Sequence, residues 1–287
     1  GVVFPTQNNY PDSWRLAIGT LGENGSLFKR HVENEGNPNW HTAVLDANDA
    51  GIDGGVISRM RATLPPHVFQ REMMCDPYAA VPSGVFADID LQETSKTLDL
   101  SRPVTCGFDL GISDSTAVWA VQFDSSGKRL NAVFYREFSD QGIDNICRTL
   151  LRAYKLPWAA SHIILPHDGA QRSIQAGTST VQRIVEEILK PRYCDVIPAE
   201  NKMNQLQAAR LLAPHVGFST DALNGLNALK QVRFATDKFG NPLDKVVHDK
   251  FSHCYDAFRT LAYWLLDDGL RVEDLLPPDP LDTVTNL

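Results

Sequence analysis

The chain has 287 residues, 43% of them hydrophobic, and a formal net charge of −8. That is enough apolar material for one large domain or two modest ones, and the most apolar stretches, "HIIL" and "LAYWLL", fall far short of the roughly 20 residues that span a bilayer. The acid is unevenly spread: residues 1–100 hold 7 Lys and Arg against 13 Asp and Glu, residues 101–266 hold 19 against 16, and residues 267–287 hold 1 against 6. The mildly basic middle leaves a nucleic-acid partner open even though the total is acidic.

Residue 1 is Gly, and "GVVFPT" has neither the basic start nor the long apolar middle of a signal peptide, so the chain reads as a piece of a longer protein. Its five cysteines are scattered, odd in number and without a CxxC pair, which argues against zinc sites and disulfide scaffolds and for a reducing compartment. In chain order, "WRLAIGT" is a short strand running into Gly19, "LGENGSLFKR" a turn leading into a helix, and "DGGVISRMRATLPPHVFQREMMC" two helices split by a Pro-Pro break. From Asp76 to Arg102, prolines and Gly84 bracket weakly patterned sequence, the best linker candidate.

"VTCGFDLG", "STAVWAVQF" and "LNAVFYREF" then predict three antiparallel strands in a meander. "IDNICRTLLRAY" is a helix, "SHIILPHDG" a buried strand, "TVQRIVEEILK" a helix, "YCDVIPA" a strand and "NQLQAARLLAP" a helix. "SHCYDAFRTLAYWLL" is a last helix starting near Ser252, followed by an acidic, Pro-rich tail that reads as mobile. A meander followed by parallel strands with helical crossovers predicts an α/β fold, a mixed sheet with helices on both faces.

Ligands in open α/β sheets gather beyond the carboxyl ends of strands. Asp109 follows "TCGF" and Asp168 follows "HIILPH", so both end an apolar strand. Asp256 falls in the first turn of the last helix, with His253 three residues earlier on the same face. Three carboxylates and an imidazole from separate elements suit hard divalent cations such as Mg²⁺ or Mn²⁺. Each also has an ordinary reading: Asp109 and Asp168 precede turn glycines, Asp256 suits a helix start, and His253 by itself is a structural histidine.

The ordered set "GFDLGISDSTAVWAV", "IILPHDGAQRS" and "HDKFSHCYDAFRTLAYW" resembles the nuclease domain of the large terminase subunit of tailed bacteriophages, with "SHxxDAFR" (Ser252 to Arg259) the most distinctive part. "WRLAIGTLGENGSLFKR" is similar to the last strand and coupling motif of that family's ATPase domain, although Leu21 stands where the motif usually has Pro, and "LPPHVFQREMMCDPYAAVPSGVF" to the bridge between the domains. The resemblance implies residues 1–97 as the end of the ATPase domain and a linker subdomain, 98–270 as a ribonuclease H-like nuclease domain, and 271–287 as a tail. It implies cleavage of double-stranded concatemeric viral DNA during genome packaging, with two Mg²⁺ or Mn²⁺ ions flanking the scissile phosphate. Asp109 would bridge both ions, Asp168 and Asp256 would hold one each, and His253 would be an auxiliary ligand or proton carrier. The implied partners are the portal protein, the small terminase subunit and further copies in the motor, in the host cytoplasm and away from any membrane. DNA contact falls to Arg172, Lys202 and Lys250, through phosphates rather than bases, and residues 236–247 form a candidate hairpin beside the site.

Two other readings stay open. "DLGxxxST" also opens actin-like ATPases and sugar kinases, and a non-catalytic DNA-gripping motor module would need the charges without the chemistry. A junction resolvase shares the fold class but not the first block. The chain has no GxxxxGK[ST] phosphate loop, so it is not expected to hydrolyse ATP by itself. The actin-like reading needs further glycine-rich phosphate and adenosine motifs, yet "PHDGAQRS" is a poor match to the former and no Gly-Gly pair follows position 55; calorimetry is expected to register no ATP binding, and a saturable heat of binding would favour that reading.

Overall fold

The computed structural model describes residues 43, 45–76, 83–111, 115–170, 180–199, 202–236 and 242–279. The strand and turn expected between residues 14 and 30, Arg172, and the tip of the expected hairpin at 237–241 lie outside the described residues. The chain divides into two compact units, Gly1–Ala79 and Ala80–Leu287. Val85, Phe86 and Leu91, from the weakly patterned stretch, are core residues of the second unit.

In the first unit the Pro-Pro break separates two helices, α1 (Gly54–Thr63) and α2 (Pro66–Glu72). The Asp53 carboxylate caps α1 by accepting from the Gly55 and Val56 amides at 2.9 and 3.3 Å. Phe69 is the buried anchor of α2, with the Arg61 guanidinium 5.0 Å from its ring centre.

The second unit is built on a seven-stranded sheet in the order β1-β7-β4-β3-β2-β5-β6. The strands are β1 (Gln92–Glu93), β2 (Thr105–Asp109), β3 (Thr116–Phe123), β4 (Leu130–Phe138), β5 (His162–Leu165), β6 (Tyr193–Val196) and β7 (Val216–Phe218). Only β3 is antiparallel to its neighbours. The meander β2-β3-β4 followed by parallel β5 and β6 is the expected ribonuclease H-like arrangement. β3 is a continuous apolar run because both of its faces are covered: Ala117, Trp119 and Val121 belong to one core, and Val118 and Ala120 to the other. α3 (Ile143–Ala153) and α4 (Val181–Leu189) seal the second core with Ile146, Leu150, Val185 and Leu189. α5 (Lys202–Leu212), α6 (Leu223–Gln231) and α7 (Ser252–Asp267) seal the first with Leu206, Leu226, Phe258 and Leu261.

β7 and α6 have no counterpart among the predicted elements. β7 is three residues long with Gly217 at its centre, too short for a periodic signal; a Cβ on Gly217 would come to 3.0 Å from both Thr94 and Asn131. Of the stretch "PPDPLDTVTNL" read as mobile, only residues 277–279 are described, and these, like the leucines before them, are held rather than mobile. Leu275 is buried and Leu276 donates its amide to the Lys128 carbonyl at 2.8 Å. Asp279 pairs with Arg129 at 3.0 Å and with Lys96 at 3.1 Å. An acidic segment with two leucines is retained where a turn offers cations and the core has an opening for an apolar side chain.

Gly107 is a backbone-distance approach between the sheet and α7: a Cβ there would lie 2.6 Å from Leu261 Cβ and 2.9 Å from the Ala257 carbonyl oxygen. Gly107→Ala is therefore expected to cost about 1–3 kcal/mol through overpacking, read as a lowered denaturation midpoint with an unchanged m-value. An unchanged midpoint would show that α7 can back away without penalty.

Candidate active site

Residues alternate across a strand, so Asp109 faces the same side of β2 as Gly107. On α7 the positions facing Gly107 are Ala257 and Leu261, and one further step of four residues along that stripe is His253. Four helical residues rise about 6 Å and two strand residues about 6.6 Å, so α7 running antiparallel to β2 brings His253 to Asp109. Their Nδ1 and Oδ2 atoms are 3.0 Å apart. An ionised carboxylate only accepts, so His253 carries its proton on Nδ1. The Trp119 indole fixes the first turn of the helix by donating to the Cys254 carbonyl at 2.9 Å.

Asp168 arrives from the neighbouring parallel strand. Cys106 and Gly107 of β2 pair with Ile163 and Ile164 of β5, so the two strands end at one edge of the sheet. β5 is followed by a short 3-10 turn, His167–Ala170, that carries Asp168. Gly169 lets this turn fold over the strand end, since a Cβ there would lie 2.8 Å from Leu165 Cβ. Asp168 Oδ1 is buried and has no hydrogen-bond partner among the described residues. Burial holds the Asp168 carboxyl above the usual carboxylate range; the Asp109 charge adds to this and His167 opposes it.

Asp256 is the fifth residue of α7, not in the first turn as expected. The helix terminus therefore does not account for an acid here. Burial raises its carboxyl, Arg259 and then Lys202 and His248 oppose, and the Asp109 charge raises it further. Arg259 Nε lies 2.8 Å from Asp256 Oδ1 in ion-pair contact, without hydrogen-bond alignment, and its guanidinium sits 5.6 Å from the Tyr255 ring centre. Asp109 is thus the shared charge: it touches His253 and is felt by both Asp168 and Asp256. The four residues are brought to one region, yet among the described residues no group of three His, Cys, Asp or Glu side chains is arranged to hold a metal ion as it stands.

Of the expected DNA contacts, Lys202 begins α5, is exposed, and lies close enough to favour the ionised form of Asp256. Lys250 is exposed with its ammonium 4.8 Å from the Phe251 ring centre. The expected hairpin is present as β8 (Phe234–Thr236) and β9 (Pro242–Val246). Its base leads into the site segment, with the Val247 amide donating to the Arg233 carbonyl at 2.9 Å and Arg233 3.6 Å from Asp249.

Two residues join the site that sequence reasoning had not selected. Arg259 was detectable, because it stands three positions after Asp256 in "DAFR" and so shares its helical face. His248 was not, since only the fold places its ring edge-on to His253 with centroids 5.7 Å apart. The Ser252 hydroxyl gives its one proton to the Asp249 carbonyl at 2.6 Å, so His248 Nδ1, 2.9 Å from the same oxygen, is the donor.

Chemically, this is a set of oxygen donors held in a partly dry place where the Asp109 charge raises the proton affinity of Asp168 and Asp256. The orphaned Asp168 oxygen fits a hard divalent cation, which would supply the missing partner and relieve the repulsion. Asp168→Asn is expected to raise the melting temperature of the metal-free protein by about 2–4 °C, since it removes a buried charge at a site shaped for function. Millimolar Mg²⁺ or Mn²⁺ is expected to stabilise the natural chain and not this variant. Equal thermal shifts in both proteins would remove Asp168 from the cation site.

No family model and no curated protein matches the chain. Solved structures do. The large terminase nuclease domain of bacteriophage SPP1 with bound Mn is 17% identical, with 61% of this chain and 94% of that chain covered and a TM-score of 0.44. The large terminase nuclease of thermophilic phage G20c with bound magnesium is 11% identical over 63% of this chain and 97% of that one, with a TM-score of 0.44. The large terminase of a second thermophilic bacteriophage, in complex with ADP, is 11% identical over 86% of this chain and 61% of that chain, at 0.47. Identities this low leave each residue's role to the site itself. The three solved structures to which this chain is thus similar are two phage large terminase nucleases and a phage large terminase.

Proposed function

We propose that this chain is the nuclease part of a phage large terminase subunit, a metal-dependent endonuclease that cuts double-stranded concatemeric DNA during genome packaging. The observation that carries this reading is the junction at Asp109, where the turn after β5 and the last helix bring Asp168 and Asp256 under the Asp109 charge and His253 into contact with it. The ordered motifs around Asp109, Asp168 and Asp256 support it.

Bound Mg²⁺ or Mn²⁺, two ions in this reading, would polarise the scissile phosphate and lower the pKa of a water nucleophile. Asp109, Asp168 and Asp256 would hold them. His253 orients the Asp109 carboxylate through its Nδ1 proton, and Arg259 fixes Asp256 through one oxygen. Lys202 and Lys250, with Arg172, would grip phosphates without reading bases, as an enzyme that cuts many sequences requires. Action beside the portal protein and the small terminase subunit, assembly with further copies in the motor, and a place in the host cytoplasm belong to the same proposal. The actin-like reading finds no further glycine-rich phosphate motif in the sequence, where no Gly-Gly pair follows position 55. A non-catalytic DNA-gripping module is favoured by one observation, that among the described residues no metal-ligand group is pre-arranged.

Plasmid nicking in Mn²⁺ separates the two. The natural chain is expected to convert supercoiled plasmid to nicked and linear forms, and Asp256→Ala to lose more than about a hundredfold of that rate while still retarding DNA in a gel. Arg259→Ala, which removes a partner of a ligand rather than a ligand, is expected to lose about 10–100-fold and to need more metal for half-maximal rate. Identical digestion by all three proteins would overturn the nuclease assignment.

A further inference from the structure

Among the described residues β6 is the last strand of the sheet, and a cleft of about 450 Å³ opens beside it. The cleft is lined from both faces of the strand: Gln182 and Val196 from the side covered by α4, and Asp195, Tyr263, Trp264 and Asp267 from the side covered by α7. A cavity reached from both faces of one strand runs along that strand's edge. The backbone agrees. Tyr193 and Ile197 donate their amides inward to Ser161 and Leu165 at 3.3 and 3.0 Å, and parallel pairing alternates, so the backbone groups of Cys194 and Val196 turn outward. Gln182 Nε2 donates to the Cys194 carbonyl at 2.8 Å, as an outward carbonyl requires.

The walls are acidic and aromatic. Asp195 and Asp267 are exposed, and the Trp264 ring stands edge-on to His162, which in turn bonds Asp195 at 2.7 Å. Glu186 adds to the negative field: the Cys194 thiol is pushed up to about 12 by burial first, then by Glu186 and Asp195. The nearest arginine in sequence, Arg192, is turned onto the Tyr193 ring at 5.3 Å.

These charges select the occupant. Nucleic acid is repelled, and so is the protein's own tail, in which residues 271–287 hold 1 Lys or Arg against 4 Asp and Glu. A second copy added edge to edge would set the two sets of acid walls against each other, and like charges across a strand pair are destabilising. A cation between a carboxylate and an aromatic face gains from both. We propose that this cleft binds an extended, arginine- or lysine-bearing segment of another protein, which pairs with β6 as an added strand and lays a cationic side chain against Asp195, Trp264 and Asp267. This surface is independent of the nuclease reading, and its mode is strand addition at an exposed sheet edge.

The test uses the full chain and short blocked peptides of alternating Val and Arg, with alternating Val and Glu, and the Val-Arg peptide N-methylated at every second amide, as controls. Saturable binding of the Val-Arg peptide is expected, with amide shifts at Cys194 and Val196, and about tenfold weaker binding to the Asp267→Asn variant, whose exposed side chain is not needed for folding. N-methylation is expected to abolish binding without touching the protein. Equal binding of the Val-Glu peptide, equal binding of the N-methylated peptide, shifts confined to the Asp109 region, or no binding at all would each overturn the proposal.

Discussion

A gap one hydrogen atom wide between β2 and α7 governs the rest of this structure. Gly107 leaves it, and Ala257 and Leu261 lie across it. Any larger residue would push the helix outward and draw His253 away from Asp109, because both pairs belong to the same two stripes of side chains. Trp119, the cross-strand partner of Gly107, holds the same helix through its indole bond to Cys254, and the Trp119 ring is itself overlain by α6, where a Cβ on Gly225 would reach within 2.3 Å of it. Gly107 thus brings α7 onto the sheet at backbone distance and Gly225 brings α6 onto the Trp119 and Tyr135 rings, and the site is a by-product of that packing.

The site works against the stability of the fold. Asp168 and Asp256 are both raised by burial, and the Asp109 charge raises each of them further. Arg259, Lys202 and His248 offset this at Asp256. At Asp168 one oxygen is left with no partner among the described residues, and an unmatched buried acceptor costs about 1–3 kcal/mol. Carboxylates perturbed by burial and by a shared charge partner at a strand end are candidates for a functional site. The thiols contrast with them: burial alone pushes Cys106 to about 12, and all five cysteines are unpaired, so they behave as small apolar residues.

Charge is also sorted along the chain with a structural result. The basic middle supplies Arg129, which together with Lys96 holds the acidic segment at Asp279, while the acidic walls at β6 sit on the opposite edge of the sheet from β1. One edge strand is only two residues long and pairs with an equally modest neighbour; the other is longer and carries Asp195 within it. Short length and charge are two separate ways of keeping a sheet edge from pairing indiscriminately.

The central sheet and the placement of Asp109 and Asp168 at strand ends were legible in the sequence, because β3 and β5 are apolar runs bounded by turn residues and because these two acids are polar interruptions at the ends of such runs. So were α1, α2 and the helices with a clear apolar stripe. β7 and α6 were not, since three residues around a glycine have no period, and the held segment up to Asp279 was not, since its composition matches that of a loose tail. The position of Asp256 beyond the first helical turn, the pairing of Asp109 with His253, the edge-on stacking of His248 and the exposed edge of β6 were decided only by tertiary structure. Local sequence specifies which residues form a strand or a helix, but the distance between two side chains far apart in the chain is set by how closely their elements pack, and here that distance depended on a residue with no side chain at all.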